Sequence, residues 1–147
     1  MAFYDLHKNE RVQLVAQIQN DIWHDLAANR TQIITKYFSD NDTYIRKAAY
    51  LSIGRIYHLQ PELQETLLKI LVILSAHDDF KIRQTVINAA GEIGKTDFAI
   101  VQNIFDNGLF DKHHSPRNAV IGSVKKMGEV NPVPVLGWAR KYLHHED

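Results

Sequence analysis

Apolar residues recur along this chain with the three- and four-residue spacing of amphipathic helices. A long N-terminal segment carries them on one face at Val12, Val15, Ile18, Ile22 and Leu26. A second clear example is formed by Leu63, Leu67, Ile70, Leu71 and Leu74. No segment alternates apolar and polar residues with comparable strength, as a half-buried strand would. The pattern therefore predicts an all-α chain.

The helical pattern also repeats. Segments 46–57, 83–94 and 117–128 align without gaps, each starts with an arginine, and the starts lie 37 and then 34 residues apart. The second and sixth residues after each arginine are Ala, Ser or Thr, whereas the third, seventh and tenth are apolar. Small residues let neighbouring helices approach closely, and the apolar ones fill the space between them. Each segment is therefore predicted to be the inner helix of a helical hairpin.

These repeats predict how the 147 residues are organised. We expect a single domain with an N-terminal helical cap over 1–30, repeats over 31–58, 61–95 and 97–130, and a partial repeat over 132–147. The last segment ends where an inner helix would begin. We therefore expect a fragment of a longer array, with a closing outer helix as the alternative.

Local signals mark the starts of the inner helices. Asp42 and Asp79 stand before the first two, where N-capping residues are found. In the third unit, His113 takes the place of the aspartate and Pro116 lies just before the arginine. This departure predicts that the third inner helix starts late, with Ser115 as its cap.

The stretches Asp42-Thr-Tyr-Ile-Arg46-Lys-Ala-Ala and Asp79-Phe-Lys-Ile-Arg83 resemble the aspartate, branched residue, arginine and small-residue signature of HEAT repeats. The resemblance covers about residues 31–147. It implies a right-handed α-α superhelix of HEAT-like helical hairpins. It also implies structural roles, through hydrogen bonds across turns and between repeats, for Asp42, Arg46, Asp79, Arg83 and Arg117.

HEAT-like arrays serve as scaffolds and adaptors, and one branch repairs alkylated DNA. The resemblance therefore implies a non-catalytic scaffold that binds a protein or peptide through the concave face of its inner helices. Helical positions opposite the apolar stripe give the candidate ligand-binding residues Lys47, Leu51, Arg55, Gln84, Asn88, Asn118 and Lys125. The alternative is a DNA-binding or glycosylase-like DNA alkylation repair protein, whose catalytic aspartate and base-contacting aromatic residues find no match here.

Composition narrows the partners and the location. The 17 basic and 17 acidic residues give a net charge of zero, so no long-range field attracts nucleic acid or an anionic membrane. The chain has no cysteine, which excludes disulfides and thiolate metal sites and favours a cytoplasmic location. The longest apolar run, residues 70–74, is far shorter than the about 20 residues of a membrane span. No membrane partner is expected.

Motifs for catalysis or cofactor binding are absent from the sequence. It contains no glycine-rich phosphate loop, no GxSxG and no HExxH, so no catalytic residue, cofactor or metal is assigned. The doublets His113-His114 and His144-His145 lie in predicted turns. Adjacent residues on a helix point about 100° apart, so solvated histidines are favoured over a metal or pH-sensitive site.

The two tryptophans have competing explanations. Trp138 lies near Arg140, Lys141 and Tyr142, a mixture that suits a nucleic-acid contact, yet the same segment is an ordinary amphipathic helix. Trp23 lies beside the apolar face of the N-terminal helix and is assigned to the core.

Overall fold

The computed structural model describes residues 2–143 of the protein. Every element of regular secondary structure in this range is a helix. Its helices are α1 (Lys8–Ala27), α2 (Gln32–Phe38), α3 (Thr43–Leu59), α4 (Gln64–Leu74), α5 (Phe80–Gly94), α6 (Gln102–Gly108), α7 (His114–Val130) and α8 (Pro132–Leu143). Short 3-10 turns over Phe3–Asp5 and Pro61–Leu63 precede α1 and α4. The prediction of an all-α chain is confirmed. None of the helices in this range has the length and apolar character needed to cross a bilayer.

The long helices α1, α3, α5 and α7 form a row in which each packs against the next in chain order. The helices between them pack against this row, with α2 touching α1, α3 and α5, and α6 touching α5 and α7. The largest fully buried side chains come from both sets, including Phe38 of α2 and Phe105 of α6. The core therefore lies between the row and the helices that cover it.

Neighbouring long helices approach closely at a repeated glycine. Gly54 and Gly91 each lie eight residues after the arginine of their repeat. A Cβ atom on Gly54 would lie 2.8 Å from the Cβ of Glu92, and one on Gly91 would lie 2.9 Å from the Oγ of Ser123. Both distances are shorter than van der Waals contact, so a side chain at either position would push the helices apart.

The N-caps of α3, α5 and α7 follow one pattern. The Asp42 carboxylate accepts a hydrogen bond from the Tyr44 N–H at 2.8 Å, and the Asp79 carboxylate accepts one from the Lys81 N–H at 2.9 Å. The predicted caps are therefore confirmed. In the third repeat, the His113 Nδ1 accepts from the Ser115 N–H at 3.0 Å.

The prediction that the third inner helix starts late, capped by Ser115, is wrong. α7 begins at His114, directly after its cap His113, in the same register as α3 after Asp42. Pro116 is the third residue of α7. The N–H groups of a first helical turn have no partner within the helix, so a proline is tolerated there.

A second repeated pattern joins each inner-helix arginine to the turn before its helix. Arg46, Arg83 and Arg117 each donate from Nη1 to the backbone carbonyl of the residue two positions before the cap. That residue is Asp40, His77 or Asp111, and its side chain accepts the N–H of the capping residue in all three turns. The sequence comparison of the repeats missed this position, two residues before each cap, because it holds aspartate in two repeats and histidine in the other.

Arg83 also joins one repeat to the next. Its Nε and Nη2 donate to the two carboxylate oxygens of Asp111 at 2.8 and 3.0 Å, across from α5 to the turn between α6 and α7. The carboxylate that pairs with Arg83 is thus that of Asp111, while Asp79 caps α5. The hydrogen bonds from Arg83 to Asp111 raise the pKa of Arg83. Burial acts to raise the pKa of Asp111, but hydrogen bonds from Arg83 and from the His113 N–H outweigh it and lower that pKa.

Candidate ligand-binding surface

The candidate ligand-binding residues lie at equivalent positions on α3, α5 and α7, away from the buried face of each helix. Four of them are exposed, namely Lys47, Arg55, Asn118 and Lys125, whereas Leu51, Gln84 and Asn88 are half-buried. Asn88 also faces α7, because its Oδ1 accepts a hydrogen bond from the Ser123 hydroxyl at 3.5 Å. The structure brings Leu51 and Arg55 together in one groove and leaves the other five outside it.

This groove, which we call the charged groove, crosses three of the long helices and has a volume of about 350 Å³. Its walls are formed by Leu51, Gly54, Arg55, His58, Glu92, Lys95, Thr96 and Val130. The Lys95 ammonium lies 3.1 Å from the Glu92 carboxylate, so these two charges are paired. The groove therefore offers a mixture of paired charges, a guanidinium group and apolar side chains.

A larger groove of about 650 Å³ lies between α1 and α3, and we call it the apolar groove. It is lined by Val12, Val15, Ala16, Gln19, Asn20, Trp23, Ile56, Leu59 and Gln60. Its three large exposed apolar residues are Val12 at 63%, Trp23 at 37% and Leu59 at 67% of their full surface. These side chains remain in contact with solvent although α1 and α3 pack against each other.

The assignment of Trp23 to the core is wrong. Its chain neighbour Ile22 is fully buried, and one step along a helix turns the side chain by about 100°, so Trp23 points away from that core. Val12, Ala16 and Trp23 fall within about 40° of one another on α1 by the same geometry. This second apolar stripe was the signal in the sequence that could have revealed the groove.

The two grooves are neighbours across α3. Arg55 lines the charged groove and Gln19 lines the apolar groove, and the Arg55 Nη1 donates to the Gln19 Oε1 at 3.2 Å. We call this hydrogen-bonded pair, Arg55 and Gln19, the ridge between the grooves. A bound chain could thus bury apolar side chains on one side of the ridge and contact charges on the other.

The histidine doublet at the start of α7 has a structural role. His113 caps the helix, and its ring stacks on Phe80 at 3.8 Å between centroids and beside His114 at 4.5 Å. Desolvation lowers the pKa of His113, and the charges of His114 and Arg83 act in the same direction. Residues 2–143 contain no group of three or more histidine, cysteine or carboxylate side chains that could hold a metal ion. The second doublet, His144-His145, lies outside the described residues.

The ring of Trp138 is buried. It packs against Phe98 and Phe105, and its Nε1 donates to the Asp106 carboxylate at 2.7 Å. The Tyr142 hydroxyl donates to the same carboxylate at 2.6 Å, and this hydrogen bond is the main reason that the pKa of Tyr142 is raised to about 12. A buried ring cannot stack on a base, so the amphipathic-helix explanation of this segment is the one that its packing supports.

Comparison of the chain with protein-family models, with curated proteins and with solved structures found no match.

Proposed function

We propose that this chain is a non-catalytic binding module of HEAT-like helical hairpins, arranged as a right-handed superhelix, that holds a segment of a cytoplasmic protein partner. The observation that carries the proposal is the cluster of Val12, Trp23 and Leu59 in the apolar groove. A contiguous exposed apolar patch on a protein surface marks an interaction site. Tryptophan is among the residues that contribute most to binding energy at such sites.

The surroundings of this cluster suit a polypeptide ligand. Gln19, Asn20 and Gln60 line the apolar groove and can hydrogen-bond the backbone of a bound segment. Arg55 stands on the ridge to the charged groove and can donate hydrogen bonds to a carboxylate. We therefore expect a ligand with at least two apolar side chains next to an acidic one.

The charges favour a protein partner over nucleic acid. The chain has no net charge, and Lys95 in the charged groove is already paired with Glu92. Binding to phosphates depends on cations that release counterions from the nucleic acid. Paired cations on a neutral protein contribute little to such binding.

The experiment is an affinity capture with quantitative mass spectrometry. The wild-type chain and the double variant Val12→Ser/Leu59→Ser are immobilised in equal amounts and exposed to lysate of the source organism. The matched control is Val72→Ser/Ile73→Ser, which removes two exposed apolar side chains from α4. We expect the first variant to lose its main partner by about tenfold or more, because two apolar contacts of about 1 kcal/mol each are removed.

The control variant should retain that partner. Equal capture by both variants would refute a role for the apolar groove. In a parallel titration, tight binding of duplex DNA that weakens steeply with salt would favour the nucleic-acid alternative instead.

A further inference from the structure

The cap of α7 differs chemically from the caps of α3 and α5. Asp42 and Asp79 cap their helices with carboxylates, whereas α7 is capped by the imidazole ring of His113, whose Nδ1 accepts the Ser115 N–H at 3.0 Å. A neutral imidazole has a lone pair at Nδ1, and a protonated one does not. Histidine is also the side chain whose ordinary charge change falls between pH 5 and 8. Mild acid can therefore remove the acceptor that caps α7.

The ring of His113 also joins α7 to α5. It lies parallel to the ring of Phe80, the first residue of α5, with 3.8 Å between the centroids and 4° between the planes. The ammonium group of Lys81 lies 5.6 Å from the centre of the same Phe80 ring. Beside this stack, Arg83 of α5 pairs with Asp111, whose Oδ1 accepts the His113 N–H at 2.9 Å. We call Phe80, Arg83, Asp111 and His113 the α5–α7 joint.

The surroundings of the ring oppose its protonation. Arg83 faces it from α5, His114 and Arg117 face it from α7, and Asp111 is the carboxylate nearby. Desolvation, together with the charges of His114 and Arg83, lowers the pKa of His113 and outweighs the attraction of Asp111. The folded protein therefore favours the neutral ring, and release of the ring from the joint is coupled to the uptake of a proton.

One ring thus performs two tasks that both depend on its neutral form. We propose that the α5–α7 joint is a pH-sensitive switch, in which protonation of His113 uncaps α7 and separates its first turn from α5. The proton occupies Nδ1, so the ring must turn away from the Ser115 N–H and leaves its stack on Phe80. Arg83 keeps its hydrogen bonds to the carbonyls of the turn before α5, because those bonds do not involve the ring. The change is local and reversible, since only a proton is exchanged.

The three capped helices allow the test to be made within one protein. The amides of Lys47, Gln84 and Asn118 stand at equivalent positions, five residues after the caps of α3, α5 and α7. Their hydrogen exchange in the wild-type chain is measured by NMR at pH 7.5 and 5 and expressed as protection factors, which remove the intrinsic effect of pH. We expect the protection of Asn118 to fall by about threefold or more at pH 5, while that of Lys47 and Gln84 stays nearly constant.

A second measurement reports the separation of the two helices. The imidazole ring of His113 shifts the proton resonances of Phe80 while the two rings are stacked. In His113→Asn the side-chain amide can cap α7 without titrating, and it exerts no ring current. At pH 5 the Phe80 resonances of the wild type should therefore move towards those of this variant at the same pH.

Two variants identify the titrating group. His113→Asn should keep the protection of Asn118 nearly constant between pH 7.5 and 5. His77→Asn is the matched control, because the His77 Nδ1 also accepts a backbone N–H, that of Asp79 at 3.0 Å, but His77 does not cap a helix. This control should show the same fall in protection at Asn118 as the wild type.

Each measurement has a result that would overturn the proposal. Constant protection at Asn118, or an equal fall at all three amides, would replace the local switch by no response or by general acid unfolding. A fall that persists in His113→Asn would exclude His113 as the titrating group, and one that His77→Asn abolishes would assign it to the turn before α5. Phe80 resonances that stay constant with pH would show that the ring remains in the joint.

Discussion

The guanidinium group of Arg83 forms a two-point ion pair with the carboxylate of Asp111, which lies 28 residues later in the chain. Both side chains are about nine-tenths buried. Arg83 also donates to the backbone carbonyls of His77 and Asp78. One side chain therefore holds together the turn before α5 and the turn before α7.

Replacing Arg83 by alanine should lower the free energy of unfolding by about 1 to 3 kcal/mol, because Asp111 and two carbonyls lose their hydrogen bonds. Chemical denaturation followed by circular dichroism measures the change. Lys69→Ala is the control, since its ion pair with Glu65 is exposed and contributes little. Unchanged stability in Arg83→Ala, together with a loss of ligand binding, would mean that Arg83 is a binding residue rather than a structural one.

Two glycines in the long helices should respond to alanine in opposite directions. Gly54→Ala should destabilise the protein by about 1 to 3 kcal/mol, because its new methyl group would lie 2.8 Å from the Cβ of Glu92. Gly122→Ala should stabilise it by about 0.5 to 1 kcal/mol, because its new methyl group would meet no heavy atom within 4 Å beyond the nearby backbone of its own helix and alanine favours the helix. Thermal melting of both variants decides the point. A Gly54→Ala variant that melted as high as the wild type would contradict the close packing of α3 on α5 at this glycine.

Much of the fold could be predicted from the sequence because its determinants are local. The caps at Asp42 and Asp79 depend on one side chain and an N–H two residues later, and a single repeat contains both. The exposure of Trp23 on α1 and of Ile121 on α7 depends instead on which helices meet. Neither the groove between α1 and α3 nor the exposed face of α7 can be predicted from the sequence of one helix alone.

Pro116 shows a second reason why prediction from the sequence was incomplete. A proline before the arginine favoured a late start for α7, yet the histidine ring of His113 serves as the cap and the proline falls within the first helical turn. Histidine is not among the preferred capping residues, so its sequence signal was weak. The likeness of the three turns before these helices depends on the structure, in which the side chains of Asp40, His77 and Asp111 each accept the N–H of the capping residue two positions later.

The histidine cap should make stability depend on pH. The pKa of His113 is lowered in the folded protein, so folding favours the neutral ring. Its contribution is present above the unfolded pKa of about 6.5 and is lost as the pH falls through the lower folded value. Melting temperatures measured between about pH 7.5 and 5 should fall more in the wild type than in His113→Asn, whose amide oxygen can cap without titrating. His24→Asn, at an exposed position on α1, should retain the dependence of the wild type. Parallel pH curves for the wild type and His113→Asn would contradict this role.

The last prediction separates the grooves from the wider set of candidate binding residues. Leu51→Ala/Arg55→Ala should weaken capture of the protein partner by about tenfold, because it removes a wall of the charged groove and the ridge to the apolar groove. The triple variant Lys47→Ala/Asn88→Ala/Lys125→Ala lies outside both grooves and should change capture by no more than about twofold. Each of these substitutions should cost about 0.5 kcal/mol or less where the side chain is exposed, so circular dichroism should show folded protein in both variants. A larger loss in the triple variant would place the binding surface along the whole exposed side of α3, α5 and α7, as the sequence pattern first predicted. Glu65→Ala on α4, an exposed residue that lines neither groove, provides the control for nonspecific loss.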